Sequence, residues 1–273
     1  MGGLASGMPL ALGLDAVTFF FAAAVLLFVH IPSPQRTDLR DASGRVQKSI
    51  WADVREGALY ILHRRPLLWL LGTFTVANLM GSPFGVLQPL FVKFNIAADW
   101  TARGFSYETA LALVSSVGAV GGVAGGLLVS TWGGLKARRV LGVLVPLALG
   151  DLAQMSFGLA PVLFLAAAMA FLIQSTILLA NAHSQAIWQT QTPLGLQGRV
   201  FAVRRVIAQF SWPLSTALAG WIAGRVNPGL LLAIFGGAQA LFCLAQLLNP
   251  YLMRVEDKVW LDRLAASRVA DQA

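Results

Sequence analysis

Five glycines set four residues apart inside one apolar run constrain this chain most. Between Leu111 and Arg139, Gly118, Gly122 and Gly126 form one helical row, and Gly121 and Gly125 form the next. In water each would cost a helix about 1 kcal/mol against alanine. In lipid the backbone cannot hand its hydrogen bonds to solvent, so the helix persists and small residues let a neighbour approach closely. The run then stops at Trp132, Gly133 and Gly134, and Lys136, Arg138 and Arg139 follow. An interfacial tryptophan, a tight turn and positive charge together read as a membrane exit on the cytoplasmic side.

Composition agrees. The chain is 57% apolar and 12% charged, whereas a soluble domain carries about 25% charged residues. The net charge of +8 sits in short connections between apolar runs, which is a topology signal and not a nucleic-acid face. Cys243 is the single cysteine, and His30, His63 and His183 are far apart. No disulfide framework, metal-ligand cluster, Ser/His/Asp arrangement or phosphate loop stands out, so neither an enzyme nor a cofactor is expected.

Seven runs of spanning length are expected, near 9–31, 67–92, 109–132, 139–158, 161–183, 203–224 and 229–249. Seventeen of the twenty basic residues fall in alternate connections. That asymmetry predicts a plasma (inner) membrane protein with its N-terminus outside and its C-terminus in the cytoplasm. No basic residue precedes the first run, so it does not read as a cleavable signal. Within the long polar connection, Ile50, Trp51, Val54, Ala58, Ile61 and Leu62 share one helical face. This stretch reads either as a helix lying at the membrane surface or as a solvated linker helix. The tail from Arg254 to Arg268 has the pattern of a cytoplasmic amphipathic helix.

The second run holds Asn78, Gly81, Pro83, Gly85, Gln88 and Pro89, a composition that breaks or kinks a helix. Such a helix either lines a transport pathway, as interrupted helices often do, or is a passive kink satisfied by its neighbours. Asp15 and Asp151 are the only carboxylates inside expected spans. Each is either a proton-titrating group or a packed, hydrogen-bonded aspartate. Asn78, Gln88, Gln154, Gln174, Asn181 and Gln209 either bind a polar substrate or join helices by hydrogen bonds. The aromatic residues Phe19, Phe20, Phe21, Phe84, Phe171, Phe210 and Trp212 line a cavity, pack, or face lipid.

Two stretches carry a resemblance. Gly125 to Arg139 resembles the loop signature of the major facilitator superfamily, in which a helix ends in Gly-x-Leu-Ala-Asp-Arg-x-Gly-Arg-Arg. Asn181 to Gln189, followed by Gln197-Gly198-Arg199-Val200-Phe201 and Arg204-Arg205, is similar to the cytoplasmic connection of the drug-efflux branch that includes macrolide and enterobactin exporters. Leu14 to Phe19 and Asp53 to Gly57 are also similar to segments of that branch.

The resemblance implies a partial major facilitator fold: an all-α polytopic membrane protein of seven transmembrane helices. Residues 1–32 would be the last span of the N-terminal half, 33–66 the linker between halves, 67–249 the six-helix C-terminal half, and 250–273 the tail. It implies cytoplasmic gate and loop roles for Ser130, Lys136, Arg138, Arg139, Gln185 and Arg199, with Ser130 standing where the family has aspartate; Arg138, Arg139 and Arg199 read equally as simple topology determinants. It further implies proton-coupled efflux of hydrophobic or amphipathic small molecules by alternating access. The alternative is a fragment that transports nothing alone and needs an N-terminal half or an oligomer. The Gly118–Gly126 rows would then either pack within the half or form an intermolecular face.

Overall fold

The computed structural model describes residues 8–29, 50–257, 259–261 and 263. The basic residues Arg36, Arg40, Arg45, Lys48, Lys258 and Arg268, and also His30, lie outside the described residues. The chain divides into two units, Met1–Ser49 and Ile50–Ala273. The first contains α1 (Met8–Phe28), whose stretch Leu12–Phe28 is apolar.

The second unit runs α2 (Ile50–His63), α3 (Arg65–Gly81), α4 (Phe84–Phe94), α5 (Ala97–Ala102), α6 (Tyr107–Trp132), α7 (Arg139–Gly158), α8 (Leu163–Gln191), α9 (Gln197–Ala223), α10 (Pro228–Gln246) and α11 (Pro250–Met253). No strand occurs among the described residues. Among the described residues, five helices are long and apolar enough to cross a membrane: Arg65–Phe94 taken as one interrupted span, then α6, α7, α8 and α10. Two of the seven expected spans are not among the five. The described apolar part of α1 is short. The 27-residue α9 is long enough, but Arg199, Arg204, Arg205, Gln209, Ser211 and Ser215 dilute its apolar character.

Local signals set the helix ends. Gly133, at φ 78°, closes α6 by donating its N–H to the Val129 carbonyl, a left-handed C-cap that glycine adopts without strain. The expected span 161–183 is corrected: α8 continues to Gln191. Nothing between His183 and Gln191 breaks a helix, and Ile187 and Trp188 are buried. It stops at Thr192, held extended (ψ 124°) by the proline that follows.

Contacts define two ends of this unit. At the basic end Arg65 meets Tyr251, Tyr60 meets Gln191 and Arg139 meets Glu256. At the opposite end Asn95 meets Asn227 and Asp99 meets Leu163. α6 and α8 run parallel, because Gly118 packs on Ala170 and Gly126 on Leu178. α7 runs antiparallel to α8, with Gly142 on His183 and Gly150 on Thr176, and antiparallel to α10, with Gly158 on Gly229. The glycine rows pack within the unit, against α8. A Cβ on Gly121 would lie 2.7 Å from the Phe171 Cα, and one on Gly125 would lie 2.8 Å from the Ser175 Cα.

The apolar core is split. One cluster, including Leu67, Leu70, Val143, Ile187, Trp188 and Leu252, fills the basic half. Another, including Leu87, Phe91, Phe157, Leu163 and Leu232, fills the opposite half. α2 closes the first cluster with Ile61 and Gly57, while Ile50, Trp51 and Leu62 are exposed. The apolar face read from sequence is thus divided between core and surface.

A clamp ties the opposite end together. Asp99 Oδ2 accepts the Leu163 main-chain N–H at 2.8 Å, and Arg103 donates to both carboxylate oxygens. The Arg103 hydrogen bonds first, and the Leu163 N–H second, hold the Asp99 carboxyl below the usual aspartate range. A lowered folded pKa stabilises the fold above the unfolded value, and this contribution disappears as pH falls through the folded value. Asp99→Asn is expected to lower the thermal unfolding midpoint at neutral pH. The gap from the unsubstituted protein should close on acidification through the carboxylate range. A gap independent of pH would assign the effect to packing.

Candidate functional site

The two apolar clusters are separated by polar groups gathered around the interruption between α3 and α4. Pro83 has no N–H to give to the carbonyl of Leu79, four residues earlier. Side chains from neighbouring helices take that place. Ser215 Oγ donates to the Leu79 carbonyl. Gln154 Nε2, on α7, donates to Met80 O at 3.3 Å. One turn earlier, Ser211 Oγ donates to Thr75 O at 3.4 Å, and Asn78 Nδ2 donates back to Ala208 O at 2.6 Å. Ser211, Ser215 and Gln154 are buried. Each unmade bond there would cost about 1–3 kcal/mol.

A second polar string crosses from α7 to α10 nearby. Gln239 Nε2 donates to Cys243 Sγ, and Cys243 Sγ donates to Asp151 Oδ2, each at 3.5 Å. Gln239 Oε1 is buried and has no hydrogen-bond partner among the described residues. Asp151 and Gln154, one helical turn apart on α7, therefore direct a carboxylate to α10 and an amide to the interruption. The close approach of α10 depends on Gly236, where a Cβ would lie 2.6 Å from the Asp151 carbonyl.

At the basic end several charged residues are paired across helices. Arg199 Nε lies 2.8 Å from Asp53 and its Nη1 lies 2.6 Å from Glu56, joining α9 to α2. Gly57 makes this possible, since a Cβ there would meet the Arg199 carbonyl at 2.7 Å. Arg204 donates to Gln185 Oε1 at 2.8 Å and Ser184 Oγ at 3.1 Å, and stacks over Trp188 at 5.1 Å. The Arg139 main-chain N–H donates to Glu256 Oε2 at 2.6 Å. His183 Nε2 accepts the Leu135 N–H at 2.9 Å, pinning the turn after α6.

The residues singled out in the sequence thus separate. Asn78 and Gln154 come together at the interruption, Asp151 pairs with Cys243 on α10 one turn from Gln154, and Gln88 bonds Ser115 at 3.3 Å. Gln174, Asn181 and Gln209 are exposed and do not join that group: their helices turn them outward. Asp15 lies in the first unit, where its main-chain carbonyl accepts the Thr18 hydroxyl at 2.8 Å. At the basic end, Gln185, Arg199 and Arg139 have cross-helix partners. Lys136 and Arg138 are exposed. Ser130 is exposed too and bonds its own helix, at Gly126 O.

Sequence reasoning missed Ser211, Ser215, Arg204, Cys243 and Glu256. The Ser211–Ser215 spacing of four, on one helical face, was the available signal. No group of three or more metal-ligating side chains stands together among the described residues. No protein-family model, no curated protein and no solved structure matches the chain.

Proposed function

We propose that this chain is a transporter body resembling the major facilitator type, carrying hydrophobic or amphipathic small molecules out across a cell membrane by alternating access. The observation that carries the proposal is the interrupted helix. It lies between two apolar clusters and is met by polar side chains from α7 and α9. Broken helices at the midplane are where secondary transporters bind substrate and coupling ions. In this reading Asp151 takes up the coupling proton, and the unpartnered Gln239 Oε1 accepts from the protonated group or from substrate. The paired arginines at the basic end, Arg199 and Arg139, act as a cytoplasmic gate that opens when those pairs part. The charge asymmetry supports placing that end, and the C-terminus, in the cytoplasm of the plasma membrane.

A second reading is favoured by Gln174, Asn181 and Gln209, which are exposed on α8 and α9. Polar side chains facing lipid are costly, and covering them with another helical body removes that cost. That body would be an N-terminal half or a second copy.

Efflux of a fluorescent lipophilic cation from cells separates these readings, with membrane insertion confirmed in the same cells. Energy-dependent efflux by the chain alone supports a self-sufficient body. Efflux only on co-expression with an N-terminal half supports the second reading. In the arrangement that works, Asp151→Asn is expected to abolish the pH dependence. Efflux in neither arrangement, across lipophilic cations and neutral amphiphiles, removes the transport reading.

A further inference from the structure

An open groove of about 690 Å³ runs between α3 and α9, lined by Leu68, Trp69, Leu71, Gly72, Val76 and Ile207. Its volume falls in the range of roughly 300–1,000 Å³ typical of small-molecule sites. A Cβ added to Gly72 would meet nothing within 4 Å, so this wall of the groove is open. The mouth is built differently. Arg65 Nη1 donates to the Tyr251 hydroxyl at 3.2 Å, and its guanidinium lies 5.6 Å from that ring. Tyr251 packs on Trp260 at 5.9 Å, and Arg254 sits 5.7 Å from the Trp260 ring. Two arginines therefore flank one aromatic pair. Among the described residues, neither has a carboxylate within ion-pair distance. Glu256 is held by Arg139, and Asp257 Oδ1 accepts the Trp260 N–H.

We infer that this groove binds an anionic phospholipid, one acyl chain lying along α3 and the phosphate resting at Arg65, with Arg254 adding positive charge from beyond the Tyr251–Trp260 pair. The proposal rests on the helices spanning a membrane. It does not need transport. An apolar trough with a cationic, aromatic mouth at a span end complements the two parts of such a lipid. Basic pockets between membrane helices recognise anionic head groups in this way. A zwitterionic head group would bring its own cation up to the arginines. A soluble anion would leave the trough exposed to lipid of any kind.

The test is native mass spectrometry of the detergent-purified chain with an equimolar mixture of phosphatidylglycerol and phosphatidylcholine of identical acyl composition. The unsubstituted protein is expected to retain phosphatidylglycerol roughly thirtyfold over phosphatidylcholine, the scale set by two arginines near a membrane surface at about 1 kcal/mol each. R65Q/R254Q is expected to bring the two lipids close to parity. G72L, which fills open space and leaves both arginines in place, is expected to reduce retention of both lipids. Circular dichroism on each variant confirms retained helicity; if R65Q/R254Q loses it, G72L alone decides. Equal retention of the two lipids by the unsubstituted protein overturns the proposal. So does an unchanged preference in folded R65Q/R254Q, or unchanged retention in G72L, which would leave the groove to a helix of another chain.

Discussion

Replacing Gly121 and Gly125 together by alanine is expected to abolish cooperative thermal unfolding, whereas the paired change at Gly122 and Gly126 should leave the midpoint unchanged or higher. All four glycines sit in the same helix, α6, and face the same neighbour, α8. The difference lies in what a methyl group would meet. At Gly121 and Gly125 it meets the backbone of Phe171 and Ser175, with Cα atoms 2.7 and 2.8 Å away. At Gly122 and Gly126 it meets only side chains, the Gln174 Cβ at 4.0 Å and the Leu178 Cδ1 at 3.6 Å. A methyl at 3.6–4.0 Å is in ordinary contact and displaces nothing, but a helix backbone under 3 Å away moves only if the whole helix moves. Overpacking costs typically about 1–3 kcal/mol at a site that can relax, and these sites cannot relax locally. The gain in helix propensity of about 1 kcal/mol per Gly→Ala change does not offset that. The gain stands nearly alone at Gly122 and Gly126, hence the opposite sign. Circular dichroism melts in detergent measure both pairs, and equal midpoints would show that α6 and α8 do not meet as described.

The second large effect is expected at the helix interruption. Ser215→Ala should lower stability by about 1–3 kcal/mol, the cost of leaving a buried carbonyl unsatisfied. Combining it with Gln154→Leu, which strips the Met80 carbonyl, should cost more than either change alone. The mechanism predicts a specific rescue. Pro83 has φ −58° and ψ −22°, values that alanine adopts readily. Pro83→Ala restores an N–H four residues after Leu79, so the Ser215 hydroxyl is no longer the donor that this carbonyl needs. In the Pro83→Ala background, Ser215→Ala should therefore cost about 1 kcal/mol less than in the unsubstituted chain. A double-mutant cycle on chemical or thermal unfolding in detergent reads this coupling directly. Additive effects would mean that Ser215 acts through packing and not through the Leu79 carbonyl.

These two experiments probe features with different visibility in the sequence. The Pro83 interruption is a local property, since a missing N–H acts on the carbonyl four residues earlier whatever surrounds it. The same holds for the turn at Gly133 and the sorting of most arginines to one end. What answers the freed carbonyls is not local. Ser215 lies more than a hundred residues from Leu79 in sequence, and Gln154 more than seventy from Met80. Their polarity was visible, but its target was not. For Arg199, the sequence offered a basic residue after a turn. Only the packing of α2 on α9 through Gly57 brought Asp53 and Glu56 to it.

The sequence by itself determined that this is a chain of apolar helices, where most of them end, where one is interrupted, and which end carries the positive charge. Helical spacing also fixed that Gly121 and Gly125 share one row and Gly118, Gly122 and Gly126 another. Only the tertiary structure decided which row lies tight against the α8 backbone and which stands at ordinary contact distance. It also decided that Gln154 points inward while Gln174, Asn181 and Gln209 point outward. The physical reason is that a 3.6-residue period sets the angles between residues on one helix. The face that meets a neighbour depends on how several helices rotate together to bury the largest apolar area while leaving the fewest polar groups unpaired.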